Sequence, residues 1–182
     1  LDSNTTASNV TAVGYRALKN NTTGASNSAF GKSALDANTT GAQNTAVGHN
    51  ALALSTTADG NTAVGYNALL SNTTGNLNVA IGYQALDSAT TADRNVAIGY
   101  EALTAFIGSG DQYATAIGFN ALGATTTGGN CTAVGGGALG ANTTGSNNTS
   151  LGYFALGSNT TADGNTALGK STLYANTTGA SN

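Results

Sequence analysis

The chain has 182 residues, of which 7% are charged and 40% hydrophobic; its net charge is −3, and it carries one cysteine and no proline, methionine or tryptophan. The five basic residues Arg16, Lys19, Lys32, Arg94 and Lys170 are scattered along the length, which argues against a nucleic-acid surface, and the apolar content argues against a charged disordered tail. No apolar run approaches the roughly 18 residues of a membrane span, and the stretch from Leu1 does not read as a signal peptide, so the chain reads as a mature or cropped piece.

Glycines at Gly14, Gly31, Gly48, Gly65, Gly82, Gly99, Gly118, Gly135, Gly152 and Gly169 follow one another at intervals of 17 residues, with a single interval of 19. A period this short and regular is the mark of a solenoid, in which each repeat is one coil stacked on the next. The expected architecture is an all-β parallel solenoid of about ten 17-residue turns forming one domain over residues 1–182, with several chains side by side in a fibre. At about 4.8 Å per turn the rod is on the order of 48 Å long. Helix is disfavoured because Gly, Asn and Thr-Thr recur at fixed offsets and no 3.6-residue apolar rhythm is sustained.

Within each unit the first predicted element is a short strand ending at the glycine, as in Asn61–Gly65. Side chains alternate across a strand, so the residues one and three before the glycine share one face and the alanine two before it takes the other. The larger residues, such as Val79 and Ile81, are expected inside, and the alanine column (Ala46, Ala63, Ala80, with Ser150 in its place once) outside, where it would let neighbouring chains approach closely. A bend is expected two residues after the glycine, where polar Asn50, Asn67, Gln84 and Glu101 stand. A second strand then carries the core leucines Leu18, Leu35, Leu52, Leu69, Leu86, Leu103, Leu122, Leu139, Leu156 and Leu173, four residues after each glycine. Asn-Thr-Thr-Gly closes the coil, with Gly24, Gly41, Gly75, Gly128, Gly145 and Gly179 expected at positive φ. In three repeats Thr-Thr-Ala-Asp replaces it; Asp59, Asp93 and Asp163 read as turn formers rather than calcium ligands, since they lie in separate coils.

Two columns and one insertion have functional readings. The position after the glycine runs Tyr66, Tyr83, Tyr100, Phe119, an aromatic ladder that either stiffens the rod or offers a platform for sugar rings. Asn-Thr-Thr recurs from Asn4 to Asn176; each copy has the form of a glycosylation acceptor but is better explained as turn capping, and adjacent threonines point to opposite faces, which weakens an ice-matching array. The 19-residue interval places Phe106 and Ile107 at a corner, as an insertion-loop contact with a receptor or another chain, or as a tolerated insertion. Cys131 occupies a slot that most repeats give to asparagine, and His49 has no second ligand nearby in sequence. No catalytic, cofactor-binding or metal-binding constellation is legible, so no enzymatic activity and no cofactor are expected.

The motifs NVAIGY from Asn78 and Asn95 and NTAVGY from Asn61 resemble the Asn-Ser-Val-Ala-Ile-Gly repeat of YadA-like heads of trimeric autotransporter adhesins, and similar repeats in bacteriophage tail fibres. The resemblance covers the whole chain, though the family's usual head repeat is near 14 residues. It implies a left-handed β-roll, a homotrimer and a non-enzymatic, extracellular role at a cell surface or on a virion fibre, presenting or binding a glycan or protein receptor. A self-assembling structural filament without a ligand, polymerising end to end, is the alternative, and an ice-binding solenoid the third reading. Neither nucleic-acid binding nor a membrane span is expected.

Overall fold

A computed structural model describes all residues 1–182 and is all-β, with no helix. Twelve three-residue strands occur in chain order: β1 (Thr11–Val13), β2 (Ser28–Phe30), β3 (Thr45–Val47), β4 (Thr62–Val64), β5 (Val79–Ile81), β6 (Thr91–Asp93), β7 (Val96–Ile98), β8 (Ser109–Asp111), β9 (Thr115–Ile117), β10 (Thr132–Val134), β11 (Thr149–Leu151) and β12 (Thr166–Leu168). Ten of them form one parallel sheet in the order β1-β2-β3-β4-β5-β7-β9-β10-β11-β12, and β6 pairs only with β8. The register is rung on rung: Ala46 faces Ala63, Ala63 faces Ala80 and Ala80 faces Ala97. The chain is therefore a parallel β-solenoid.

The strand faces are the reverse of the expectation. Ala29, Ala46, Ala63, Ala80, Ala97, Ala116, Ala133 and Ala167 are buried, as is Ser150, whereas Val13, Phe30, Val47, Ile81, Ile117, Leu151 and Leu168 are exposed. The physical reason is width. Each coil must also bury the leucine and the alanine just before it, for example Leu69 and Ala68 opposite Ala63, and at close-packed density the interior of so short a loop accepts methyl groups from the strand and nothing larger. The alanines thus line the interior, and the Thr and Val/Ile side of the sheet faces outward.

The returning wall is not a strand. Its backbone takes positive φ both at the expected bend, as at Asn67 (54°) and Gln84 (51°), and again at the leucine, as at Leu69 (54°) and Leu86 (53°). Left-handed residues two apart prevent an extended run, yet the coils remain joined: Leu69 N–H donates to Ala85 O of the next coil (3.0 Å), while Gln84 N–H donates to Tyr66 O of the preceding one (2.9 Å). A leucine in this conformation carries a steric cost, which the surrounding core must offset. Leu18 through Leu156 are fully buried as expected; Leu173, in the last coil, is half-buried.

At the start of this wall stands the period-setting glycine. Gly65 has φ +137°, and a Cβ there would run into the Gly82 carbonyl of the next coil, so both backbone conformation and coil spacing require glycine. The Thr-Thr-Gly glycines do not have positive φ; that conformation falls two residues later, at Ser26, Gln43, Leu77, Asn130, Asn147 and Ser181. A Cβ on Gly24, Gly41, Gly75, Gly128 or Gly145 would run into the next coil's carbonyl, although three other coils carry alanine in this slot, Ala58, Ala92 and Ala162. Gly60 and Gly164 do adopt positive φ after Asp59 and Asp163.

Two buried asparagine columns hold the corners. Asn61 is typical of one: its Nδ2 donates to Gly75 O (2.9 Å) and its Oδ1 accepts Asn78 N–H (2.9 Å). The same pattern links Asn27 to Asn44, Asn78 to Asn95 and Asn148 to Asn165. In the other column Asn38 Nδ2 donates to Asn21 Oδ1 (2.7 Å) and to Gly41 O (2.9 Å). These amides satisfy turn carbonyls that face away from water.

Candidate functional site

The outer surface is ordered into files because every coil presents the same position at the same height. The aromatic file exists as expected. Tyr66, Tyr83, Tyr100 and Phe119 are stacked with ring centroids 5.2, 5.0 and 5.5 Å apart and planes within 9°, 7° and 12° of parallel. His49 meets the start of the stack edge-on, 5.3 Å from Tyr66. The neighbouring Glu101 carboxylate pushes the Tyr100 phenol pKa up.

Stacking changes what the ladder can do. Sugar rings are bound by the faces of aromatic side chains, and within this stack each face is covered by the next ring. Tyr66, Tyr83 and Tyr100 accordingly offer edges and hydroxyls, at 41–46% exposure, whereas Phe119 reaches 62%. The file stops there because the next rung holds Gly136. Beyond it Tyr153 and Phe154 form an edge-to-face pair at 4.5 Å, and Phe154 meets Tyr174 edge-on at 6.2 Å.

The insertion divides in two. Phe106 is fully buried rather than displayed, filling the slot held by Asn38 or Asn72 in other coils, and Ile107 is exposed. The pairing of β6 with β8 secures the loop, with Arg94 ion-paired to Asp111 and Tyr113 Oη donating to Asp111 Oδ2 (3.0 Å). The carboxylate of Asp111 raises the Arg94 pKa, first through the hydrogen bond and then through its charge. Because β7 pairs directly with β9, the extra residues leave the large sheet unbroken.

The remaining polar groups are structural in their contacts. Asp59 Oδ1 accepts Ala42 N–H (2.6 Å), Asp93 Oδ1 accepts Asn76 N–H (2.5 Å) and Asp163 Oδ1 accepts Ser146 N–H (2.6 Å), each tying a turn to the coil before it. The Asn-Thr-Thr hydroxyls behave alike: Thr22 Oγ1 donates to Thr39 O (2.9 Å), and Thr143 Oγ1 to Thr160 O (3.0 Å). Cys131 lies in the asparagine slot, buried, with its thiol pKa pushed up by burial. No three His, Cys, Asp or Glu side chains converge in a way that would hold a metal. The one concavity, of about 330 Å³, lies at the amino-terminal end between Leu1, Asp2, Tyr15, Arg16 and Lys19, far along the rod from Phe119.

What sequence reasoning missed is the outward pair on each strand. Thr45 and Val47, or Thr62 and Val64, face away from the core together, and their columns run the length of the sheet without a charged side chain. The alternation itself was visible; which of its two faces lay outside was not.

These features define the class as a β-solenoid repeat protein. No protein-family model matches the chain, and no curated protein or solved structure shows significant similarity to it. No helix is long and apolar enough to cross a membrane.

Proposed function

We propose that this chain is a rigid, non-enzymatic segment of a fibrous surface protein, an adhesin head or phage tail-fibre shaft, whose copies lie side by side and present receptor-binding files to the outside. The observation that carries this reading is the exposed, uncharged column Val13, Phe30, Val47, Ile81, Ile117, Leu151 and Leu168 on one continuous ten-strand sheet. A face about 48 Å long and roughly 10 Å wide is on the order of 500 Å², the size at which an apolar patch marks an interaction surface. A second copy has the same rise per coil, so contacts made at one rung repeat at every rung. The resemblance of NVAIGY and NTAVGY to trimeric adhesin heads and tail-fibre repeats supports a trimer with an extracellular location.

Sedimentation analysis of the purified chain tests the assembly. A discrete homo-oligomer that Val47→Lys and Ile81→Lys together dissociate to monomer is the expected result; a wild-type monomer at micromolar concentration overturns side-by-side assembly. Fibres of unlimited length with no binding to cells would instead favour the ligand-free filament.

One observation favours ice binding as a second reading. Thr45, Thr62, Thr115, Thr132, Thr149 and Thr166 lie two residues from a β-branched or leucine side chain on the same outward face, the arrangement that the Asn-Thr-Thr file lacks. Ice shaping by the wild-type chain that Thr62→Lys abolishes would support it.

A further inference from the structure

We propose that the glycine rung at Gly136 is a binding subsite for one neutral pyranose ring, stacked on the open face of Phe119. This inference rests on the receptor-binding reading above and gives it a place and a ligand class.

The ladder supplies the platform. Tyr100 covers one face of Phe119 in a 5.5 Å stack, and the opposite face points along the rod toward a rung with no side chain. Gly136 is the only glycine in the file Tyr15, Lys32, His49, Tyr66, Tyr83, Tyr100, Phe119, Gly136, Tyr153, Lys170, and the residue after it is also glycine. The Tyr153 ring forms the far wall: a Cβ placed on Gly136 would stand 3.4 Å from its Cδ2 and 3.5 Å from its Cε2. The result is a step in the file rather than a cavity: the outer face of Phe119 stands on one side, the Tyr153 ring on the other, and the Phe154 ring covers the Gly137 backbone beside it. A six-membered sugar ring presents an apolar C–H face that packs on such an aromatic surface, while its rim of hydroxyls remains available to polar neighbours.

Charge selects the class of sugar. Between Asp111 and Asp163 the sequence contains no charged side chain, so about three consecutive coils around Phe119 and Gly136 are electrically neutral. An acidic sugar would find no cation there, and a phosphorylated one would lose its hydration shell without compensation. Asn, Gln, Ser, Thr and Tyr side chains are the polar groups of these coils, suited to the hydroxyl and acetamido substituents of neutral hexoses and N-acetylhexosamines.

The test variant is Gly136→Tyr, which fills the step with the residue the file uses at most other rungs. The backbone accepts it, because Gly136 does not have positive φ and its added Cβ makes only ordinary contact. The full chain would be tested against an array of neutral oligosaccharides, and the strongest binder titrated by calorimetry, with Phe119→Leu as a second variant that keeps bulk and removes the aromatic face. Expected is at least a tenfold loss of affinity in both variants with unchanged circular dichroism and melting. Three results would overturn the proposal: wild-type affinity in Gly136→Tyr, binding confined to acidic glycans, or a change of oligomeric state in Gly136→Tyr, which would assign the step to a second copy. If wild type binds cells while Gly136→Tyr binds them equally well, only the subsite fails; if wild type binds neither cells nor any glycan, the receptor-binding reading fails with it.

Discussion

The coils near both ends and the coils around the insertion solve the same problem in different ways. In the end regions the corner after the leucine is held by asparagine, with Asn38 bonded to Asn21 and Asn159 Nδ2 to Asn142 Oδ1 (3.0 Å). In the middle the same corner holds Ser55, Asn72, Ala89, Phe106 and Thr125 in turn, and the companion column changes to Ala114 and Cys131. Where the corner holds asparagine, its buried amide reaches a turn carbonyl, as Asn72 Nδ2 does to Gly75 O (2.9 Å). At the 19-residue interval the fully buried ring of Phe106 fills the corner instead. A corner of this solenoid must be full, and either hydrogen-bonding reach or bulk can fill it.

The largest expected effect that separates the two regions is at Phe106. Phe106→Ala should cost about 3–5 kcal/mol in chemical denaturation, the usual range for deleting a fully buried aromatic ring. A cost below about 1 kcal/mol would mean that the loop closes without its plug. In the regular coils Asn61→Ala should cost about 1–3 kcal/mol, because it leaves the buried Asn78 amide unpartnered and removes one of the two donors to the Gly75 carbonyl, the other being Asn72 Nδ2. Hydrogen exchange should localise that loss, with protection falling first at Asn78.

Restoring the spine should have the opposite sign. Cys131→Asn places an amide within reach of the Gly145 carbonyl, which the thiol now meets at 3.4 Å, and should stabilise by about 1 kcal/mol. No gain in melting temperature would show that the column is kept for packing alone.

The smallest effect concerns Asp87, half-buried beside the leucine wall, whose Oδ1 has no hydrogen-bond partner and whose pKa is raised by desolvation. The folded state therefore holds its proton to higher pH than the unfolded chain does, and the contribution of this group falls as pH rises through the elevated carboxyl pKa. Stability should increase slightly on acidification through that range, and Asp87→Asn should flatten the profile. An unchanged profile in the variant would assign the dependence to other carboxylates.

Much of the fold was legible in the residues. Ten leucines in phase identified a buried file, the polar residues two after each glycine marked the bend that Asn67 and Gln84 make, and Cys131 was recognised as a guest in an asparagine slot. The aromatic ladder was equally visible, since four consecutive rings at one position of a stacked repeat must meet. The consequence of stacking for binding was not, because it depends on which ring faces remain open, and only Phe119 beside Gly136 has one. Phe106 was misplaced for a related reason: an apolar residue in a polar turn looks displayed until the size of the corner beneath it is known.

What the sequence determined by itself was translation: the period, the stacking of like on like, and the residue types that share a file. What tertiary structure alone decided was orientation. Alternation divides Thr62-Ala63-Val64 into two faces without saying which is inside, and hydropathy favours the valine. The closed coil overrules it, because the gap between the strand and Leu69 leaves room for a methyl group from Ala63 and turns the larger side chains to the surface, where any partner must find them.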